Sequence, residues 1–185
     1  MRLRGRAAFT IVELLVVMAI ILVLAGLVLA TSSYVHNKGA RSRAEAEIAA
    51  MSAALENYKA DNGVYPSDST KTDLLSPKAG VDFASYSTAS LFLYEKLTGV
   101  TSGSRSEVPS TTTYFTFKPN MLLPSPPSTA DITGIRDPFG DSYGYSTAGQ
   151  TTSGTGYNPT FDLWSTGGYI ATTSPPDQSQ WIKNW

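Results

Sequence analysis

The stretch Ala8-Phe9-Thr10-Ile11-Val12-Glu13 joins a basic leader to a long apolar run that carries a single acidic residue near its start. A carboxylate one helical turn into a membrane-length segment costs roughly 2.5–3.5 kcal/mol on insertion scales, so an acid placed there marks function and demands a partner. From Phe9 to Ala30 the chain is apolar apart from Thr10, Glu13 and the small Gly26. About 22 residues at 1.5 Å each make roughly 33 Å of helix, enough to cross a bilayer. Arg2, Arg4 and Arg6 precede this run with no acid among them, which predicts a cytoplasmic amino end and export of the rest.

Three readings of this segment stand side by side. One is an ordinary single-span anchor. A second is a secretory signal peptide cut after Val28-Leu29-Ala30, although the apolar stretch is longer than the 7–15 residues usual for such a core and contains Glu13. In the third, a peptidase cuts between Ala8 and Phe9, and the helix stays in the mature chain. That cut frees an amine on Phe9, whose ammonium can pair with Glu13 of the same chain or of a neighbour. The acid then serves assembly.

The 185 residues suit one domain with an anchor, and the net charge of −1 gives no basic patch for nucleic acid. Loss of residues 1–8 removes Arg2, Arg4 and Arg6 and no acid, leaving a mildly acidic remainder. Cysteine is absent and His36 is the only histidine, which excludes disulfides, thiol nucleophiles and histidine-rich metal centres and disfavours a Ser/His/Asp triad. No catalytic constellation is visible. The tyrosines and tryptophans are read as core and turn packing in preference to a glycan-binding face.

Beyond Ala30 the sequence turns polar but keeps a stripe, Ala44, Ile48, Met51, Leu55 and Tyr58, at helical spacing. Asp61-Asn62-Gly63 supplies the stop. One long helix is therefore expected from Phe9 to about Asn62. Its halves are 9–30, for the membrane and assembly, and 31–62, amphipathic, with residues 63–185 forming a head. Leu91 to Leu97 predict a short helix starting near Ala89 or Ser90. Strands are expected at Tyr114–Phe117, around Ser142–Ser146 and at Phe161–Ser165, as an antiparallel meander. Asp137-Pro138-Phe139-Gly140 reads as a turn in which the Asp side chain bonds backbone two residues on.

The basic leader, the small Ala8, Phe9-Thr10-x-x-Glu13 and the apolar helix together resemble the class III signal of type IV pilins and type II secretion pseudopilins. In that family a prepilin peptidase cuts before the Phe and methylates its amine, and the Glu guides each subunit into a filament. The family usually has Gly where this chain has Ala8. Tyr58-Lys59-x-Asp61-Asn62-Gly63-x-Tyr65-Pro66, Asp137-Pro138-Phe139-Gly140 with Tyr143-x-Tyr145, Phe161-Asp162-Leu163-Trp164-Ser165-x-Gly167 and the ending Trp181-Ile182-Lys183-Asn184-Trp185 resemble blocks of the major pseudopilins. No matched block falls within residues 67–135.

The resemblance implies an α+β fold, a long amino-terminal helix packed on a small three-stranded antiparallel sheet with a loop-rich carboxyl-terminal region. It implies a homopolymer in the periplasm, anchored in the inner membrane, with other pseudopilins, a secretion platform, an ATPase and a secretin as partners. A type IV pilus subunit or minor pilin is the neighbouring alternative, and a membrane-anchored adhesin or glycan-binding module the alternative of another class. The family binds calcium in the loop between Ser165 and the final Trp. Here Gly168-Tyr169-Ile170 stands where the family has Ala-Asp-Gly, and Ser165 and Asp177 are the candidate side chains left for the ion.

Overall fold

The computed structural model describes residues 10–79, 83–169 and 177–185, with side chains described throughout these ranges except at 28–34 and 83–84. The chain divides into two units, Met1–Gly39 and Ala40–Trp185. One helix, α1 (Ile11–Asn62), begins in the first and ends in the second.

From Leu14 to Leu27 α1 is apolar on every side. Ile11, Leu14, Leu15, Leu22, Leu24 and Leu27 point in different directions around the axis, and each is more than half exposed. A helix of that kind is normally covered by protein or by lipid. Among the described residues no helix is long and apolar enough to cross a membrane. The anticipated span of 9–30 extends at both ends into residues whose placement or side chains lie outside that set.

In the second unit the character of α1 changes. Ala44, Ile48, Met51 and Leu55 are buried along one face, as their spacing predicts, and Tyr58 is half-buried. Asn62 closes the helix by donating its Nδ2 to the carbonyl of Tyr58 and to Tyr114 Oη. Gly63 then turns the chain at φ 79° with its N–H bonded to Lys59 O, the left-handed exit that glycine adopts without a Cβ penalty.

The helix α2 (Phe83–Thr98) lies against the strands β2 (Gly134–Ile135) and β3 (Gly144–Ser146). It starts well before Ala89 and Ser90, which sit buried in its middle rather than at its start. Ser87 and Ser90 are used across the interface. Ser90 Oγ accepts the N–H of Ile135 at 2.7 Å and Ser87 Oγ donates to Thr133 O at 2.8 Å. Gly134 lets the elements approach, because a Cβ there would lie 3.3 Å from Ser90 Cβ.

A small sheet pairs β1 (Leu122–Leu123) with β2, antiparallel. The second sheet has the order β3-β4-β5, also antiparallel, with β4 at Asp162–Ser165 and β5 at Ile182–Lys183. The three-stranded sheet is thus present, but its third strand comes from the carboxyl end and not from Tyr114–Phe117. That segment is extended without a strand partner. The N–H groups of Tyr114 and Phe115 donate to Leu97 O, and the rings pack on Tyr58, Phe117 and Tyr94. Its aromatic alternation serves ring packing, not a ladder.

The apolar face of α1 shares one core with Phe92, Leu93 and Leu97 of α2 and with Tyr143, Tyr145 and Leu163. Tyr143 is fully buried and its hydroxyl donates to Glu47 Oε2 at 2.7 Å, a strut from the sheet to the helix. Burial raises the Glu47 carboxyl above its ordinary value despite the Tyr143 bond and the nearby Arg43. The folded chain therefore holds that proton more tightly than the unfolded chain. Stability from this group is complete below the unfolded value near 4.5 and is lost as pH rises through the raised folded value. Glu47→Gln keeps an acceptor for Tyr143 and never ionises. Its melting temperature should gain on the parent chain at neutral pH, with the gain shrinking as pH falls toward 4.5; thermal scans in which the gain grows toward acid would contradict the assignment.

Gly144 pairs with Trp164 across β3 and β4, and a Cβ there would fall 2.2 Å from Trp164 Cε2. Only glycine leaves room for the indole. Gly144→Ala should cost about 3 kcal/mol and lower the melting temperature by roughly 10 °C in a calorimetric scan.

Candidate functional site

The start of α1 is built by two side chains. Thr10 precedes the first helical residue, and its Oγ1 accepts the N–H of Glu13 at 3.2 Å. Glu13 Oε2 accepts in return from the N–H and the hydroxyl of Thr10, each at 3.0 Å. This reciprocal capping box satisfies donors that the first turn of a helix otherwise leaves free. Both bonds fall on Oε2, and among the described residues no other donor reaches this carboxylate. Glu13, taken from sequence as an acid without a partner, has one in Thr10. The signal was present in the Thr-x-x-Glu spacing itself, which is the capping-box pattern. Ala8 and Phe9, the expected cleavage pair, lie outside the described residues.

A second constellation lies in the head. Asp137 is buried, and its Oδ1 accepts the N–H groups of Phe139, Gly140 and Asp141 at 3.0, 2.8 and 2.9 Å. Its Oδ2 accepts from Ser165 Oγ at 2.5 Å, and Ser165 Oγ accepts the N–H of Gly167 at 3.0 Å. Burial pushes the Asp137 carboxyl up, while Ser165 and the backbone donors pull it down. The Asp-Pro-Phe-Gly turn and the Asp-Leu-Trp-Ser-x-Gly block, far apart in sequence, are two halves of one knot. Asp162 caps the backbone in the same way, its carboxylate accepting from the N–H groups of Tyr157 and Asn158.

Comparison with known proteins bears on the first constellation. Residues 3–29 match the model of the prokaryotic N-terminal methylation motif, a stretch that contains Ala8, Phe9, Thr10 and Glu13.

The chain is also similar to the type II secretion system core protein G of Klebsiella michiganensis, 33% identical over 81 residues, which cover 44% of this chain and 57% of that relative. The chain thus spans less than two thirds of the length of the curated relative it matches. No solved structure matches. The motif and this relative support the resemblance to a major pseudopilin, and the α+β architecture is of the expected pilin-like kind. The relative is named as a secretion-system protein and not as an enzyme.

Ser165 and Asp177, the residues considered for calcium, each have partners within the protein. The Ser165 hydroxyl is occupied on both sides, donating to Asp137 and accepting from Gly167. Asp177 is exposed, and its Oδ1 accepts the N–H of Ser179 at 2.9 Å, a bond that lowers its carboxyl. Among the described residues no group of three or more His, Asp or Glu could hold a metal ion. Calcium takes six to eight oxygens, several of them carboxylate.

The aromatic residues pack on one another, as expected. Trp164 and Trp181 are buried and stacked at 5.7 Å, and Tyr157 is covered on one face by Trp185, with Lys78 Nζ 4.8 Å from its ring centre.

In the methylation motif, Thr10 is the residue that sequence reading passed over. Thr10→Val keeps the shape and removes the hydroxyl. Helix stability at the amino end should fall by about 1 kcal/mol, the usual worth of an N-cap. The check is amide exchange of residues 11–14 in bicelles, which should quicken while exchange in 44–58 stays unchanged.

Proposed function

We propose that the chain is a pseudopilin, a structural subunit stored in the inner membrane through residues 9–30 and polymerised into a periplasmic filament of a type II secretion system. In this reading a prepilin peptidase cuts between Ala8 and Phe9 and methylates the Phe9 amine. The observation that carries it is the coincidence, within one methylation motif, of a helix apolar on all sides and a Glu13 carboxylate with an oxygen to spare. Lipid covers such a helix while the subunit waits. Neighbouring helices cover it in a filament, where close packing and polar bonds replace lipid contact. Other copies of this chain, further pseudopilins, the secretion platform, its ATPase and a secretin follow as partners.

Glu13 supplies the register. The ammonium of Phe9 in one subunit and the carboxylate of Glu13 in another attract strongly in a medium of low dielectric, and their pairing offsets the insertion cost of each charge. A subunit displaced along the axis loses the pair and leaves both charges uncovered. Misregistered addition is thereby disfavoured.

Intact-mass and amino-terminal peptide analysis of membrane-extracted protein should give a chain starting at Phe9 with one added methyl. A start at Thr31 would instead indicate a secreted module, and an intact Met1 a plain anchor. Glu13→Ala should insert as well as the parent chain yet yield few or no filaments. Normal filaments from that variant would refute the pairing mechanism.

A further inference from the structure

We propose that the head closes its carboxyl-terminal loop with a clamp of indole rings and backbone, and that this clamp replaces a bound divalent cation. The segment leaving β4 at Ser165 and returning at Trp181 is fixed at both ends by contacts of the chain with itself. Ser165 pairs with Ile182 across β4 and β5. Leu163 exchanges bonds with Asn184, its N–H donating to Asn184 Oδ1 at 2.9 Å and its carbonyl accepting from Asn184 N at 3.2 Å. Gly167, at φ 67°, lies so close to Gln180 that a Cβ there would meet its carbonyl oxygen at 2.4 Å. Arg41 Nη1 donates to that same carbonyl at 2.8 Å.

The rings complete the closure. Trp164, fully buried, stacks on Trp181 with the planes 6° apart, and receives Tyr86 edge-on at 5.6 Å and Trp185 edge-on at 5.9 Å. A stack of two buried indoles removes a large apolar area from water and fixes the mutual orientation of the segments that carry them. A cation in such a loop does the same task by drawing carboxylates and carbonyls together. Here the side-chain oxygens of Ser165 and Asp137 are already engaged. Ser165 serves Asp137, and Asp137 serves the 139–141 backbone as well. The surrounding chemistry is aromatic and serves as the fastener.

The test uses the full-length protein in detergent micelles, with thermal unfolding followed by tryptophan emission. Calcium chloride and excess EGTA should give the same midpoint to within about 1 °C, because an ion that binds only the folded state would raise it. Asp177→Asn should likewise leave the midpoint unmoved. Trp181→Ala should lower it by roughly 10 °C, as expected for the loss of a buried indole. A midpoint several degrees higher in calcium than in EGTA would overturn the proposal. So would a Trp181→Ala chain as stable as its parent. Should Trp181→Ala fail to fold, the comparison of calcium with EGTA on the unsubstituted chain still decides. The outcome is independent of whether the chain forms filaments.

Discussion

The head depends on one buried carboxylate. Asp137 accepts three backbone N–H groups with one oxygen and the Ser165 hydroxyl with the other, so the turn before β3 and the end of β4 cannot move apart without stranding it. A buried carboxylate that loses its donors costs several kcal/mol, far more than a hydrogen bond contributes when made. The bond therefore acts chiefly against alternatives. It fixes the frame in which Tyr143 reaches Glu47 on α1 and in which β4 accepts β5.

A second constraint is the continuity of α1. Its backbone is one helix from Ile11 to Asn62, yet its side chains answer to two environments. From Leu14 to Leu27 they are apolar all round; from Ala44 they are apolar on one face only. Gly26 and Gly39 have open space where a Cβ would stand, so neither is required by a close contact within the chain. No proline falls within the helix. The change in character is carried by side chains alone, and that is why hydropathy could locate it.

What sequence made legible was whatever rests on local rules. The stripe from Ala44 to Leu55, the glycine exit at Gly63 and the Asp137 side-chain turn are each decided within a few residues, by helical period, φ preference and side-chain reach. What escaped depends on distant partners. The first turns of α2 escaped because Ser87 and Ser90 find their partners only across the interface, at Thr133 O and the Ile135 N–H. The aromatic alternation of Tyr114–Phe117 looks like a strand until its rings find Tyr58 and Tyr94 instead of a ladder. Two-residue strands such as β5 carry too little pattern to be seen at all. In the amino-terminal site Glu13 was found by its cost and Thr10 was missed. The first signal is global, an acid in an apolar run, whereas the second is a spacing of three residues that apolar neighbours obscure.

Thr10 also changes how Glu13 is to be understood. An N-cap is worth about 1 kcal/mol, whereas two unit charges 4 Å apart attract by about 4 kcal/mol even at an effective dielectric near 20. Under the proposed cleavage, an amine freed on Phe9 outcompetes the hydroxyl and amide of Thr10 for the carboxylate. Before that exchange, the capping box keeps Glu13 satisfied and the first turn of α1 wound. Because both Thr10 bonds use Oε2, a neighbouring ammonium can engage Oε1 first and need not wait for the cap to open. In the proposed assembly Thr10 is thus a holding partner, strong enough to order the first turn and weak enough to yield to the Phe9 ammonium.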